Sequence, residues 1–91
     1  MIIIQTNRFK KSYKRLHKNQ LTDVNKAIEA VIADVNIGER KKGDLSSLRV
    51  HKFKTCGQLT LLGYMVNTNS EIVLTFIDIG SHENFYRDLK K

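Results

Sequence analysis

The sequence contains no proline, five glycines and a single cysteine, Cys56. Without proline and with so little glycine, the chain offers no linker and no low-complexity tract, so we expect one domain over residues 1–91. A single cysteine excludes an internal disulfide and any zinc site built on several cysteines. This sparing use of cysteine fits a reducing compartment.

Long hydrophobic runs are also missing. No apolar run approaches the ~20 residues that a membrane helix needs. The opening residues Met1 to Ile4 are too short for a signal peptide and lack its basic start. We therefore expect a soluble, cytoplasmic protein without a membrane partner. No cluster of metal-ligating residues is evident in the sequence, and we expect neither a metal nor another cofactor.

Acidic residues are scarce relative to basic ones, with 9 Asp and Glu against 16 Lys and Arg, which gives a net charge of +7. The cations concentrate in two blocks. Residues 1–18 hold cations and no acid, and residues 40–54 hold cations against Asp44 alone. Blocks of this kind favour a polyanion or an acidic partner. The alternative is that these lysines only keep a small domain soluble.

Hydrophobic periodicity predicts the order β-α-α-β-β-β-α and an α+β fold. The two successive helices should form an antiparallel hairpin packed on one face of a small, antiparallel-rich sheet, and the three later strands should form a meander. Gly38 is the predicted C-terminal cap of the second helix. The predicted strands are 1–6, 48–54, 58–66 and 71–79, with helices before 17, from 21 to 38 and from 82 to 91, and a loop at 39–47.

The junction between the last strand and the last helix is the first candidate site. Gly80 and Ser81 should end the strand, with Ser81 as the N-cap of the helix and Phe85 and Leu89 as its core anchors. His82 and Tyr86 are four residues apart and should lie on one helix face. The structural alternatives are a histidine that hydrogen-bonds a turn carbonyl and a half-buried tyrosine that closes the core.

The strand at 48–54 is the second candidate site. Lys52 and Lys54 are two residues apart and should point to the same side. Arg49 and His51 fall on the opposite side of an ideal strand unless a bulge brings one of them round. The alternative for the lysines is protection of an edge strand. The sequence leaves open which of the two sets faces the site.

Four segments, taken together and in this order, resemble the RelE/ParE superfamily, the toxins of bacterial type II toxin–antitoxin pairs. The glycine–x–histidine with an aromatic residue four positions on is similar to the C-terminal end of the RelE/YafQ-like branch. The resemblance covers nearly the whole chain. The four segments are Gly43 to Arg49, Val50 to Lys54, Leu61 to Tyr64 and Gly80 to Tyr86.

This resemblance implies a small sheet with a helical hairpin across one face. It implies a metal-independent endoribonuclease, an mRNA interferase that cuts messenger RNA in the decoding site of the ribosome and so inhibits translation. The implied partners are the ribosome, mRNA and a cognate antitoxin whose acidic or amphipathic segment wraps the toxin. Lys52 and Lys54 match the paired basic residues of the family, and Arg49 matches another basic position.

Cleavage of RNA by its own 2′-hydroxyl needs proton transfer and stabilisation of charge on the phosphoryl oxygens. His82 is the predicted proton-transfer residue, because an imidazole titrates near neutral pH. Tyr86 is predicted to orient the phosphate or to stack on a base. Lys52 and Lys54 should meet the RNA backbone and the leaving group. The remaining predicted RNA-binding residues are Arg49, Arg87, His51, Lys10 and Lys14, and the two basic blocks should meet on one side of the fold.

One departure from the family keeps other functions open. Many RelE-like toxins carry an arginine in the strand that corresponds to 58–66, and here that strand has no cation. Arg87 or Arg49 could supply the missing charge. The alternatives are a ParE-type inhibitor of DNA gyrase, which cleaves nothing, and a basic nucleic-acid-binding domain without catalysis.

Overall fold

The computed structural model describes residues 1–41 and 47–89, with the side chains of residues 88 and 89 left out of the description. A five-stranded sheet carries three helices. Four strands run antiparallel to their neighbours in the order β5-β4-β3-β2, and β1 joins the sheet parallel to β5. The elements are β1 (Ile2–Gln5), α1 (Asn7–Lys14), α2 (Lys18–Ala33), β2 (Glu39–Arg40), β3 (Arg49–Thr55), β4 (Gln58–Asn67), β5 (Val73–Ser81) and α3 (His82–Leu89). The predicted α+β class, helical hairpin and meander are confirmed.

Helices α1 and α2 pack on one face of the sheet, which we call the hairpin face. Apolar side chains spaced by three and four along the helices meet apolar side chains of β4 and β5, as an amphipathic pattern requires. The buried cluster between them contains Phe9, Val24, Ala27, Val31, Leu62, Tyr64, Leu74, Phe76 and Ile79. This cluster is the main core of the domain.

Helix α1 is fixed at its start and along its length. The Thr6 side chain caps it, since its Oγ1 accepts a hydrogen bond from the Phe9 amide at 3.0 Å. The buried carboxylate of Asp78 on β5 accepts hydrogen bonds from Arg8 Nε at 3.1 Å and from Ser12 Oγ at 2.5 Å. A buried carboxylate is stable only when it is paired in this way. These bonds hold α1 against β5.

Strands β3 and β4 are joined by a two-residue turn, Cys56-Gly57. Both residues have positive φ, 52° at Cys56 and 74° at Gly57. This is the conformation of a type I′ hairpin turn, whose twist matches the strands it connects. The register runs regularly from the pair Thr55 and Gln58 back to the pair Arg49 and Tyr64. No bulge therefore interrupts β3, and its side chains alternate strictly between the two faces.

The predicted cap at Gly38 is wrong. Helix α2 ends at Ala33, and the next residue, Asp34, is already extended. Gly38 is buried, and a Cβ on it would lie 2.5 Å from the Tyr64 hydroxyl oxygen. Glycine is required here because a tyrosine side chain occupies the space that any larger residue would need. Close packing therefore explains Gly38 better than the C-terminal cap that its position after the apolar stripe suggested.

The hydroxyl of Tyr64 ties the segment after α2 to the sheet. Its Oη donates to the Val35 carbonyl and accepts from the Gly38 amide, both at 2.8 Å. Burial raises the pKa of Tyr64, with Asp34 adding to this effect and the Gly38 hydrogen bond and Arg49 opposing it. The phenol therefore stays neutral and can donate to Val35.

We expect Tyr64→Phe to lower the free energy of unfolding by ~1–3 kcal/mol, because it leaves the buried Gly38 amide and the Val35 carbonyl without their partner. Denaturant melts of the parent and the variant test this. Tyr13→Phe is the matched control, since its hydroxyl meets only the exposed Asn25 side chain. Equal stability of the parent and Tyr64→Phe would contradict the proposed tie.

Two further boundaries differ from the prediction. Residues 39 and 40, predicted as loop, form the short strand β2, because Glu39 and Arg40 pair with Val50 and Arg49 of β3. The rest of the predicted loop, 42–46, lies outside the described residues. Strand β5 does not end at Ile79, as predicted, but continues through Gly80 to Ser81, because these two residues pair with Leu61 and Thr60 of β4. Strand pairing, which no local pattern reports, decides both boundaries.

Candidate active site

The face of the sheet opposite the hairpin carries α3, and we call it the α3 face. A second buried cluster lies there, formed by Leu48, Val50, Leu61 and Phe85, with Tyr86 and Ile77 partly buried beside it. Val50, Lys52 and Lys54 alternate along β3 and therefore share this face. The structure thus decides which set of β3 side chains lies beside α3, and it is the lysine pair.

Helix α3 is docked by Phe85 and started by Ser81. Phe85 is fully buried, and its ring lies where a Cβ on Gly63 would have to be. The Ser81 Oγ accepts a hydrogen bond from the Asn84 amide at 3.4 Å, a long bond in the position of an N-cap. Both predicted roles are confirmed. The side chain of Leu89, the second predicted anchor, lies outside the described residues.

Tyr86 is the centre of the site. The ring of His82 meets the ring of Tyr86 edge to face, with 5.8 Å between centroids, so the predicted contact of imidazole and phenol is present. The Nζ of Lys41 lies over the Tyr86 ring, 5.2 Å from its centroid. The Tyr86 hydroxyl oxygen is buried and has no hydrogen-bond partner among the described residues. This hydroxyl is covered by protein atoms, so a ligand meets it only when neighbouring side chains move.

The lysine pair of β3 stands next to this centre on the same face. Lys52 and Lys54 are both exposed. Lys52 Nζ lies 3.8 Å from the carboxylate of Glu39, which is on the neighbouring short strand β2. Both partners are well exposed, so the ion pair adds less than ~1 kcal/mol to stability and can open easily for an anionic ligand. The α3 face therefore offers an imidazole and several cations to solvent, beside a tyrosine whose hydroxyl is buried.

Arg49 and His51 do not join the α3 face, and no bulge brings either of them round. Arg49 lies on the hairpin side of β3, and its Nη1 donates to the Gly38 carbonyl at 2.9 Å. His51 stacks on Phe53, with ring centroids 6.1 Å apart, and Phe53 packs against the hairpin core. Sequence reasoning matched Arg49 to a basic family position, whereas its position here is structural. Any contact of these two residues with RNA would have to come from the other side of the strand.

The partly buried position of His51 predicts a pH dependence of stability. Burial lowers the pKa of His51 below its ordinary value of 6.5. The unfolded chain therefore binds a proton more readily than the folded chain, and stability should fall as the pH drops below 6.5. We expect His51→Gln to flatten the dependence of the melting temperature on pH between about 7 and 5. Thermal melts of the parent and the variant in the same buffers test this, and an unchanged slope for His51→Gln would contradict it.

The two basic blocks do not meet, contrary to the prediction. Lys10 and Lys14 are exposed on α1, which packs on β5 at the hairpin face, whereas α2 is the helix that lies against β3. The sheet separates them from Lys52 and Lys54. Arg87 is exposed on α3, and its Nη2 donates to Asn84 Oδ1 at 2.8 Å.

Lys41 is the site residue that sequence reasoning missed. Lys41 belongs to the basic block at 40–54, but it lies in a segment predicted as loop. No alternation of side chains could therefore assign it to one face of a strand. Its position follows from β2, whose pairing with β3 puts Glu39 opposite Val50 and carries Lys41 past the strand end to the same side. The only indication in the sequence was that Lys41 follows Glu39 by two residues, the spacing of side chains on one face of a strand.

A surface depression of about 740 Å³ is lined by Arg40, Arg49 and side chains of β4 and β5 that include Met65 and Thr75. His82, Tyr86, Lys41, Lys52 and Lys54 do not line it. His82, Lys52 and Lys54 are exposed, so the candidate site is an open surface. An open surface suits a large partner that brings its own second wall.

Two observations concern other classes of site. Within residues 1–41 and 47–89, no group of three or more His, Cys, Asp and Glu side chains is placed to hold a metal ion. No helix in the described part of the chain has the length and apolar character that crossing a membrane requires.

Comparison with known proteins assigns the family. The model for ParE-like toxins of type II bacterial toxin–antitoxin systems matches residues 3–90. The chain belongs to this family. The ParE-like toxin is also similar in structure to a mutant of the E. coli toxin RelE in the free state, with a TM-score of 0.70 and 17% identity over 98% of this chain and 94% of that chain. At this identity the match shows a shared fold. No curated protein sequence matches the chain significantly.

Membership of the RelE/ParE superfamily, predicted from the sequence, is thereby confirmed. Type II membership implies a cognate antitoxin as partner. Whether the toxin cuts RNA or inhibits another target is a finer question than family membership, because the superfamily includes both nucleases and gyrase inhibitors.

Proposed function

We propose that this ParE-like toxin is a ribosome-dependent endoribonuclease that cleaves mRNA and so inhibits translation. The observation that carries the proposal is the contact of His82 with Tyr86 on the face that also presents Lys52 and Lys54. A proton-transfer group, a phenol and paired cations are the parts that phosphodiester cleavage needs.

In the proposed reaction the 2′-oxygen of the mRNA attacks the adjacent phosphorus. The bond from phosphorus to the 2′-oxygen forms, and the bond to the 5′-oxygen breaks, which leaves a 2′,3′-cyclic phosphate and a 5′-hydroxyl. The 2′-hydroxyl loses a proton and the departing 5′-oxygen gains one; His82 carries out one of these two transfers, and water carries out the other. Lys52 and Lys54 offset the charge that builds on the phosphoryl oxygens, and Tyr86 orients the phosphate or stacks on a base. No metal is needed in this scheme.

The ribosome fits the open form of the site. A flat face with exposed lysines holds a flexible mRNA poorly by itself, because positioning contributes much of the catalysis in such reactions. In the decoding site the ribosome would hold the mRNA strand and form the opposite wall. The excess of cations also accounts for control by a cognate antitoxin, since an acidic, partly disordered segment can cover such a surface.

Brief induction of the toxin in cells, followed by mapping of transcript ends, tests the proposal. Cuts phased with codons inside translated frames support it, and they should disappear when the antitoxin is co-expressed. Growth arrest with intact transcripts would reject the nuclease, and unaffected growth and protein synthesis would reject toxicity itself.

Inhibition of DNA gyrase is the second candidate. Two observations favour it: the matching family model is ParE-like, and β4 carries no cation from Gln58 to Asn67. A supercoiling assay with purified gyrase discriminates the two functions. Loss of supercoiling at toxin concentrations that leave mRNA on ribosomes uncut would favour the gyrase function.

A further inference from the structure

Lys41 occupies a defined position beside the proposed reaction centre. Its backbone amide donates to the Leu48 carbonyl at 3.0 Å, which extends the pairing of β2 with β3 by one bond. Its side chain is half-buried, and its ammonium stands over the Tyr86 ring. The His82 ring contacts the same tyrosine ring in an edge-to-face arrangement. An ammonium over a tyrosine face is attracted by the ring quadrupole. Lys41 is thus held at the site by its backbone and its side chain.

Arg49 and Lys52 hold their charges in different surroundings, and β4 supplies none. β4 has no cation, and Arg49 lies on the hairpin side with Nη1 bonded to the Gly38 carbonyl. Lys52 faces Glu39 at 3.8 Å. Lys41, in contrast, has its charge over an aromatic ring, an interaction that is weaker than a charge-assisted hydrogen bond to a phosphate. A phosphate that reaches Tyr86 can therefore draw this ammonium off the ring.

We propose that Lys41 is a phosphate-binding residue of the α3 face, which holds the RNA phosphodiester at Tyr86; this inference rests on the proposed ribonuclease function. In the free toxin the ammonium covers the ring. When RNA arrives, Lys41 moves to the phosphate and the ring face becomes available for a base, a surface that aromatic readers of RNA use for stacking. Lys41 thus links phosphate binding to base stacking.

Three variants separate this role from a general loss of charge. Lys41→Met removes the charge and keeps an unbranched side chain, and Lys41→Arg restores the charge. Lys26→Met is the matched control, because Lys26 is an exposed cation of α2 on the opposite side of the sheet. Binding to programmed ribosomes is measured with mRNA that carries 2′-O-methyl groups at the decoding-site codon, so that the nucleophile is blocked and the mRNA stays intact.

We expect Lys41→Met to lower the affinity for these ribosomes about tenfold, as loss of one charge-assisted contact does. The slope of log affinity against log salt should become shallower by roughly 0.7, the value for one phosphate of a single strand. Lys41→Arg should keep most of the affinity, and Lys26→Met should match the parent. With unmodified mRNA, Lys41→Met should also slow single-turnover cleavage most at subsaturating toxin.

The binding and cleavage measurements fail separately. If the parent binds ribosomes and leaves unmodified mRNA intact, the proposed ribonuclease function fails. The salt dependence of ribosome binding by the parent and by Lys41→Met then still tests whether Lys41 contacts a phosphate. A slope and an affinity for Lys41→Met equal to those of the parent or of Lys26→Met would overturn the role of Lys41, even if the parent cleaves. If the parent does not bind ribosomes at all, both proposals are wrong.

Discussion

Replacing His82 by alanine is expected to slow mRNA cleavage on programmed ribosomes by ~10²-fold or more, because the imidazole is the proposed proton-transfer group. The stability cost should stay below ~1 kcal/mol. His82 is exposed, and the hydrogen bond that starts α3 comes from Ser81 instead. Single-turnover cleavage and thermal melts of the same preparations measure the two effects.

The control for His82 is the exposed histidine at the start of α2. His17→Asn removes an imidazole and keeps a good N-cap residue, so it should cleave like the parent. Lys52→Ala and Lys54→Ala should slow cleavage as well, partly through weaker binding. If His82→Ala cleaves like the parent while Tyr86→Ala and Lys52→Ala do not, the reaction centre lies elsewhere on the α3 face. If the parent and all variants leave mRNA intact, gyrase inhibition becomes the leading function.

Replacing Phe85 by alanine is expected to lower the free energy of unfolding by ~3 kcal/mol or more. The ring is fully buried in the cluster with Leu48, Val50 and Leu61, and it fills the space above Gly63. Its removal leaves a cavity under α3 and takes away the main contact that docks the helix. Denaturant melts measure the loss.

Phe85→Leu is the matched variant, because it keeps an apolar side chain in the cavity and should recover a large part of the stability. Cleavage should fall with Phe85→Ala as well, since His82 and Tyr86 are carried by the helix that Phe85 docks. A loss of less than ~1 kcal/mol for Phe85→Ala would mean that α3 is held by contacts other than this ring.

The helices and central strands could be predicted because their side chains repeat with the period of the element. Phe9 and Tyr13 on α1 and the stripe from Val24 to Val31 on α2 fall on buried helix faces. The contact between His82 and Tyr86 was predictable in the same way, as two residues one helical turn apart. Local periodicity therefore accounted for most of the fold and for the centre of the candidate site.

The features that were missed depend on contacts between distant segments. A period of two shows that Lys52 and Lys54 share a face, but it does not say which face α3 will cover. Gly38 after an apolar stripe has the local signature of a helix end, whereas the Tyr64 ring that requires it lies in another strand. Lys41 reaches the site through a two-residue strand that exists only by pairing with β3. None of these contacts leaves a local pattern.

The parallel pairing of β1 with β5 has a consequence for the order in which the toxin forms during synthesis. β1 pairs with β5, and α1 is bonded to β5 through Asp78, so both N-terminal elements depend on a strand near the C-terminus. Contacts this far apart in the chain form late, because a long loop must close first. α3 follows β5 directly, so the site face is completed only after α3 has been made. We expect a nascent chain that ends before Val73 to be inactive and protease-sensitive, which gives the antitoxin time to meet the toxin as it folds.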